Sequence, residues 1–276
     1  MSDRLLGKRI VITGAGSGLG RAIALRFARA DWRVAIVDLE PQRAAEVVAE
    51  IENRGGKALA LKADVRSVSD LQTVVSRLEQ EWSGVDVVVN NAGVGSAGTV
   101  VDTALDDWDW TLDINLHGVI RGCHLLAPLL VRQRDGHIVN IASFAGIAHA
   151  PAMAAYNTAK AGVIGLSESL RAEMLPHGVG VSVACPSFFR TNLLDSFRTP
   201  DPRLQQFAER MFQNASVTAE DVADDIFRAV HSNRFMVITH SEARWLYRFK
   251  RWAPKLFFRL VAKRAAGFAS KKAKQQ

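Results

Sequence analysis

The sequence predicts a doubly wound parallel α/β sheet, and three observations carry that reading. Seven short apolar runs rich in β-branched residues alternate with amphipathic helical patterns. A glycine-rich string follows the first run and opens a helix. The 276 residues are 48% hydrophobic and 23% charged, ample for one large core.

The elements follow in order. The apolar run 9–13 stops at Gly14, and a helical pattern fills 20–30. Strand 33–38 ends on Asp38 and is followed by helix 41–54, which begins with Pro41. Strand 57–62 leads to helix 69–82, strand 85–90 to helix 108–134, and strand 137–142 to helix 156–175. Strand 179–185, helix 219–232 and strand 235–239 complete the alternation. Near-continuous apolar runs are what strands buried on both faces of a parallel sheet require. Two segments do not fit the alternation: 187–218, and everything after Ser241. The expected organisation is one domain over 1–240 and a basic amphipathic helical extension over 241–276.

Charge is divided unevenly. Residues 241–276 hold eleven Lys or Arg against Glu242, a net of +10, while the other 240 residues hold 24 bases and 27 acids, a net of −3. Basicity belongs to one segment. Cys123 and Cys185 lie in apolar surroundings and make no metal-ligand spacing, so no metal is expected and a reducing, cytoplasmic setting is. Strand-like residues and a glycine-rich turn already begin at Arg9, so a signal peptide is not expected. No uninterrupted apolar run approaches the roughly 20 residues that span a bilayer.

The first strand runs into Thr13-Gly14-Ala15-Gly16-Ser17-Gly18-Leu19-Gly20. Gly14, Gly18 and Gly20 let the backbone turn sharply and approach a pyrophosphate at the helix N-terminus. Alone, such a string marks only a tight turn; on the first strand of a βαβ unit it marks a dinucleotide site. Asp38, 24 residues after Gly14, can accept hydrogen bonds from both ribose hydroxyls and would repel a 2′-phosphate. No Arg or Lys stands in the glycine loop or next to Asp38, although Arg43 is not far away, so NAD is expected rather than NADP. Asp64-Val65 and Asn90-Asn91-Ala92-Gly93 sit at carboxyl ends of the third and fourth strands, where such sheets bind ligands. Their small and amide residues suit an adenine ring and a ribose.

Tyr156 and Lys160 lie four apart at the start of a helix, hence on one face. A nearby positive charge stabilises phenolate and lowers the tyrosine pKa, and such a tyrosine can trade a proton with an alcohol or carbonyl oxygen. Ser143, just after the fifth strand, offers a hydroxyl to hold that oxygen, and Asn115 inside the preceding helix could bend it and hold a water. Singly, each of these has a bland reading as surface or turn chemistry.

Together they resemble the short-chain dehydrogenases/reductases over about residues 5–240. The matching segments are 13–20, Asp38, Asp64-Val65, 90–93, Asn115, Ser143, Tyr156-Asn157-Thr158-Ala159-Lys160 and 186–191. The resemblance implies a single Rossmann domain in which Ser143 orients the substrate and Tyr156 is the acid/base. It further implies that Lys160 holds the nicotinamide ribose, Asn115 completes a proton relay through water, and Pro186 and Thr191 border the nicotinamide. Cofactor contacts would come from Gly14, Ser17, Gly18, Leu19, Gly20, Asp38, Asp64, Val65, Asn91, Ala92 and Gly93, joined by Tyr156 and Lys160. A homodimer or homotetramer is the family's habit. One departure is visible: Ser187 stands where the family usually has glycine after Pro186, and serine adopts positive φ less easily.

Residues 187–218 are rich in apolar groups, among them Phe188, Phe189, Leu193, Leu194, Phe197, Phe207, Met211 and Phe212. The resemblance implies that 187–218 is the substrate lid, so these residues point to a lipid-like, steroid-like or aromatic alcohol or ketone as substrate, and would equally serve to pack a lid helix on the core. Ala145, Gly146 and Ala148 leave room near the reacting carbon. No cation is clearly placed for a CoA or carrier-protein phosphate, which places a 3-oxoacyl-type reductase using NADPH second. A silent nucleotide-sensing scaffold is the reading from another class, and it has no need of Ser143, Tyr156 and Lys160 together.

From Arg244 to Lys263, Arg244, Arg248, Arg251, Lys255, Arg259 and Lys263 recur at steps of three and four. Trp245, Phe249, Trp252, Leu256 and Leu260 repeat the steps one residue later, and Leu246, Ala253, Phe257 and Val261 widen the apolar side. This is an amphipathic helix bent or restarted near Pro254. Two readings stand level: peripheral association with an anionic membrane surface through 244–263, and packing of the apolar side on the body or a partner subunit. Nothing resembles a base-reading motif, so nucleic acid is not expected.

Overall fold

A computed structural model describes residues 5, 7–190 and 192–273 of the chain. Its strands are β1 (Arg9–Thr13), β2 (Arg33–Asp38), β3 (Lys57–Lys62), β4 (Val87–Asn90), β5 (Gly136–Ile141), β6 (Val179–Ala184) and β7 (Met236–Val237). They form one sheet in the order β3-β2-β1-β4-β5-β6-β7, and every pairing is parallel. Consecutive strand residues point to opposite faces, and here both faces are covered. Ile10, Ile12, Val34 and Ile36 meet Ile23 and Phe27 of α1 (Gly18–Ala28), Ile51 of α2 (Pro41–Glu52) and Ile226 of α9 (Ala219–Ser232). Val11, Val37 and Val88 meet Leu78 of α3 (Val68–Trp82), Leu130 of α5 (Gly118–Gln133) and Val163 of α7 (Ala154–Met174). The doubly wound fold expected from the alternation is the fold found.

Four details differ from the expectation. β3 is an edge strand with Lys57, Ala60 and Lys62 exposed, because the sheet ends there and only one side needs apolar cover. β7 keeps only two residues. The single helix expected over 108–134 is α4 (Leu105–Leu112), a π-helical turn over Asp113–His117, and α5. A π turn inserts an extra residue and re-aims the side chains around it, and Asn115 sits in this one. The run Leu105–Gln133 is long and apolar enough to cross a membrane by length and composition, although Asn115, His117, Arg121 and His124 interrupt its apolar residues, and half of its most apolar stretch is buried inside the protein.

Beyond the alternation lie a short helix α6 (Ala145–Ala148), the lid helix α8 (Pro202–Gln213), and two helices after the sheet, α10 (Ser241–Trp252) and α11 (Pro254–Ala273). The break between the last two falls at Ala253, before Pro254, where proline removes a helical hydrogen bond.

At the amino end of the sheet an ion pair ties three elements. The Arg9 guanidinium donates to both oxygens of Asp86 at 2.8 Å and to the Trp82 carbonyl at 2.9 Å. Asp86 also accepts the Arg9 N–H at 2.8 Å, and the two side chains are only 13% and 6% exposed. Removing one partner strands a buried charge, whereas replacing both by apolar groups does not. Asp86→Ala should lower stability by about 3 kcal/mol or more, and the pair Arg9→Met with Asp86→Leu by clearly less. Denaturant titration checks this; equal losses in the two variants would contradict it.

Candidate active site

The cleft forms where the strand order reverses, between β1 and β4, because connections leaving those two strands diverge to opposite faces of the sheet. Thr13, the last residue of β1, holds the two edges together. Its hydroxyl accepts the N–H groups of Asn91 and Ala92 at 3.0 and 3.1 Å. In return the Asn91 amide donates to the carbonyls of Thr13 and Gly14 at 2.9 and 3.0 Å. The sequence reading named Asn91 but passed over Thr13. A hydroxyl at the strand end beside the glycine string was the available signal.

The glycine loop is built for close approach. Gly14 has φ +62°, the left-handed region that glycine enters without strain. A Cβ on Gly20 would sit 2.2 Å from the Gly14 carbonyl, so Gly20 serves the packing of helix on strand and does not border the cleft. Gly14, Ser17, Gly18 and Leu19 do border it. No side chain caps α1, which leaves its first N–H groups open to an anion. Asp38 accepts the N–H groups of Gly16 and Glu40 at 2.8 and 3.0 Å, which fixes its carboxylate at the cleft edge with acceptor capacity to spare. Arg43 also borders this end. Asp64 is bound on both oxygens by Arg66 at 2.6–3.0 Å, and that guanidinium holds its carboxyl below the ordinary range. Val65, Ala92 and Gly93 line the same wall. An uncapped helix end, glycines where a Cβ would collide, and an anchored carboxylate fit a dinucleotide.

The opposite end gathers Asn115, Ser143, Tyr156, Lys160 and Pro186. α7 presents Tyr156 and Lys160 one turn apart toward the end of β5, and both are buried, at 8% and 4% exposure. Lys160 donates to the Ile141 carbonyl at 3.0 Å and lies 5.8 Å from the Tyr156 ring. Ser143 accepts the Ala145 N–H at 3.1 Å and donates to the Pro186 carbonyl at 3.5 Å, which holds its hydroxyl at the cleft wall. Asn115 grips the Val94 backbone from both sides, accepting its N–H and donating to its carbonyl at 2.9 Å each. That grip positions the wall leading from Gly93; a Cβ on Gly93 would lie 2.8 Å from the Asn115 oxygen and 3.6 Å from Lys160 Nζ.

Burial dominates the electrostatics. It raises the Tyr156 pKa above the ordinary 10, with the nearby Ser143 hydroxyl pulling the other way. Burial also presses Lys160 from 10.5 down to about 8, against a weaker pull from Cys185. The lowering of the tyrosine by its lysine, expected from spacing alone, is not the balance in this structure. Desolvation disfavours phenolate and ammonium alike, and it is the largest cause of both shifts.

Pro186-Ser187 resolves without strain. Ser187 is not among the residues with positive φ; its N–H donates to His240 Nδ1 at 3.3 Å, and His240 Nε2 meets the Phe188 carbonyl at 2.9 Å. His240 was not anticipated. Thr191 lies outside the described residues. Phe188, Phe189, Leu193, Phe197, Phe207, Met211 and Phe212 all border the cleft, and Leu194 does not. Arg198 pins this lid to the body through Asp107 at 3.1 Å and the Trp110 ring at 3.9 Å. Ala145 and Ala148 border the cleft, whereas Gly146 packs on the Lys160 backbone, where a Cβ would come within 2.6 Å. The whole cleft measures about 1670 Å³.

Residues 8–202 match the model of the short chain dehydrogenases. "Probable oxidoreductase EphD" of Mycobacterium tuberculosis is 37% identical over 255 residues, 89% of this chain, and the chain spans only 43% of that relative's length. A 3-oxoacyl-[acyl-carrier-protein] reductase of Synechocystis is 35% identical over 71% of this chain and 79% of its own. Among solved structures, a short chain dehydrogenase/reductase of Burkholderia phymatum in complex with NAD superposes with a TM-score of 0.85. It is 30% identical over 91% of this chain and 95% of its own.

The depressed lysine has a consequence for stability. Between about pH 8 and 10.5 the unfolded chain still holds the Lys160 proton that the folded chain has released. Below that window burial of the ammonium works against folding, and the penalty lifts as pH rises through it. The stability of wild type relative to Lys160→Met should therefore climb across the window by roughly 3 kcal/mol. Paired denaturation curves at intervals from pH 7 to 11 measure it, and a flat difference would refute the assignment.

Proposed function

The chain belongs to the short-chain dehydrogenases, and from that premise we propose that it moves a hydride between NAD(H) and the CH–OH or C=O group of an apolar alcohol or ketone. The observation that carries this is the meeting of Ser143 with the buried Tyr156 and Lys160 in one cleft with the glycine loop and the aromatic lid. A bound nicotinamide supplies or accepts the hydride. Ser143 holds the substrate oxygen, and Tyr156 gives or takes its proton. Lys160, held by the Ile141 carbonyl, sets a positive charge beside the phenol that steadies the phenolate as it forms. Asn115 keeps the β4 end of the cleft in place by its grip on Val94. Burial of Tyr156 keeps it protonated between turnovers, so that its proton leaves only toward the reacting oxygen.

Asp38 supports NAD, since its carboxylate would repel a 2′-phosphate, and the Burkholderia relative is described with NAD. The seven apolar lid residues at the cleft support a lipid-like, steroid-like or aromatic substrate over a sugar. Oxidation is the proposed direction, and a dimer or tetramer the proposed assembly. The C-terminal extension adds an anionic membrane surface as a peripheral location for a body that is otherwise cytoplasmic. A second reading, reduction of a 3-oxoacyl thioester with NADPH, is favoured by the Synechocystis relative and by Arg43 at the ribose end of the cleft.

Tyr156→Phe should lower turnover by about a thousandfold while NADH affinity stays within about threefold. Stopped-flow turnover and NADH fluorescence titration read the two quantities, and unchanged turnover would end the role given to Tyr156. A screen of secondary alcohols of rising chain length, with NAD and with NADP, should give kcat/KM that climbs with chain length and is higher with NAD. Better turnover of polyols would sink the apolar reading, and a preference for NADPH with 3-oxoacyl thioesters would install the second one.

A further inference from the structure

α10 has three faces. Ala243 is buried, and Leu246 and Tyr247 pack against the core on the α7 side of the sheet. A second face carries Trp245, Phe249 and Trp252 at steps of four and three. Trp245 and Trp252 are 63% and 86% exposed, and Trp245 stacks on Phe249 with ring centres 5.1 Å apart. Arg244, Arg248 and Arg251 are exposed along the flank of that aromatic face. α11 continues the arrangement: Leu256, Phe258 and Leu260 are at least half exposed, beside exposed Lys255, Arg259 and Lys263. The aromatic stripe that the sequence marks out is therefore not the one that packs on the body.

α10 is also fastened to both flanks of the cleft. At its start His240 holds the backbone of Ser187 and Phe188, the root of the lid. Further along, Lys250 donates to the Ile147 carbonyl and meets His149 Nδ1 at 2.7 Å, on the turn that follows Ser143. Phe188 and Ala148 border the cleft, so α10 is fastened to residues next to the cleft wall and carries the aromatic stripe on its outer side.

We propose that the outer face of α10 and α11 docks on an anionic lipid bilayer and holds the mouth of the cleft beside it. The occupant follows from charge and chemistry. Tryptophan, phenylalanine and leucine flanked by arginine and lysine match the boundary between acyl chains and anionic headgroups. A second copy of this face would bring the net +10 of residues 241–276 against an equal charge, with Glu242 as the sole acid to relieve it. The docking itself does not depend on the substrate reading; if that reading holds, the bilayer becomes the reservoir of the apolar substrate.

The test uses the full chain and sucrose-loaded phosphatidylcholine vesicles with and without phosphatidylglycerol, a measurement that needs no turnover. Wild type should sediment with the phosphatidylglycerol vesicles only, and less so as salt rises. Trp245→Ser with Trp252→Ser, and separately Arg248→Glu with Arg251→Glu, should each weaken binding by about tenfold or more. Both variants should keep wild-type NADH affinity, which reports an intact fold. No sedimentation of wild type, equal binding to both kinds of vesicle, or variants that bind as wild type would overturn the proposal. So would a tryptophan variant that turns a wild-type oligomer into a smaller species in vesicle-free ultracentrifugation, because the face would then be a subunit contact.

Discussion

Parallel pairing of β1 with β4 places two strands side by side whose following connections depart to opposite faces of the sheet. A gap must open at their carboxyl ends, and the glycine loop, Asp38, Ser143, Tyr156 and Lys160 gather around it. Thr13 and Asn91 keep that gap from spreading, since six backbone and side-chain groups close into one small network. At the opposite end of the same strands, the buried pair of Arg9 and Asp86 holds the sheet and the end of α3. The sheet is thus clamped at its base by charge and at its rim by neutral hydrogen bonds.

Inside the site, burial outweighs proximity. Tyr156 and Lys160 are close enough to help one another ionise, yet each is displaced toward its neutral form. A site so arranged is at rest with the proton on the phenol. Such a poise suits an acid/base that must release a proton only when a reacting oxygen is there to take it. The same desolvation presses Cys123 and Cys185 to about 12, which keeps both thiols protonated and inert beside the chemistry.

The extension joins this machinery mechanically. His240 and Lys250 reach the lid root and the turn after Ser143, so a helix that adds nothing to the sheet nonetheless braces both sides of the cleft. Its inner face is small, made of Ala243, Leu246 and Tyr247, and leaves the larger aromatic stripe outward.

Much of this was legible in the residues. Apolar runs of five or six, separated by helical periodicity, admit few arrangements other than a parallel sheet covered twice. The glycine string, Asp38, Ser143, Tyr156 and Lys160 announce themselves because their chemistry depends on residue type and short spacing, which a sequence displays directly. Gly20 borders the helix instead of the cleft, and Thr13 and His240 escaped notice, because their roles depend on partners 78 and 53 positions away. The π turn at Asn115 was foreshadowed only as a bend, since an extra residue per turn leaves no mark on an amphipathic pattern. Spacing placed an ammonium near a phenol, but only the packed interior decides how much water each has lost, and so the sign of the shift. In the tail, periodicity described the stripes. Which stripe turns inward depends on the shape of the body that α10 meets, and the tertiary structure alone decides that.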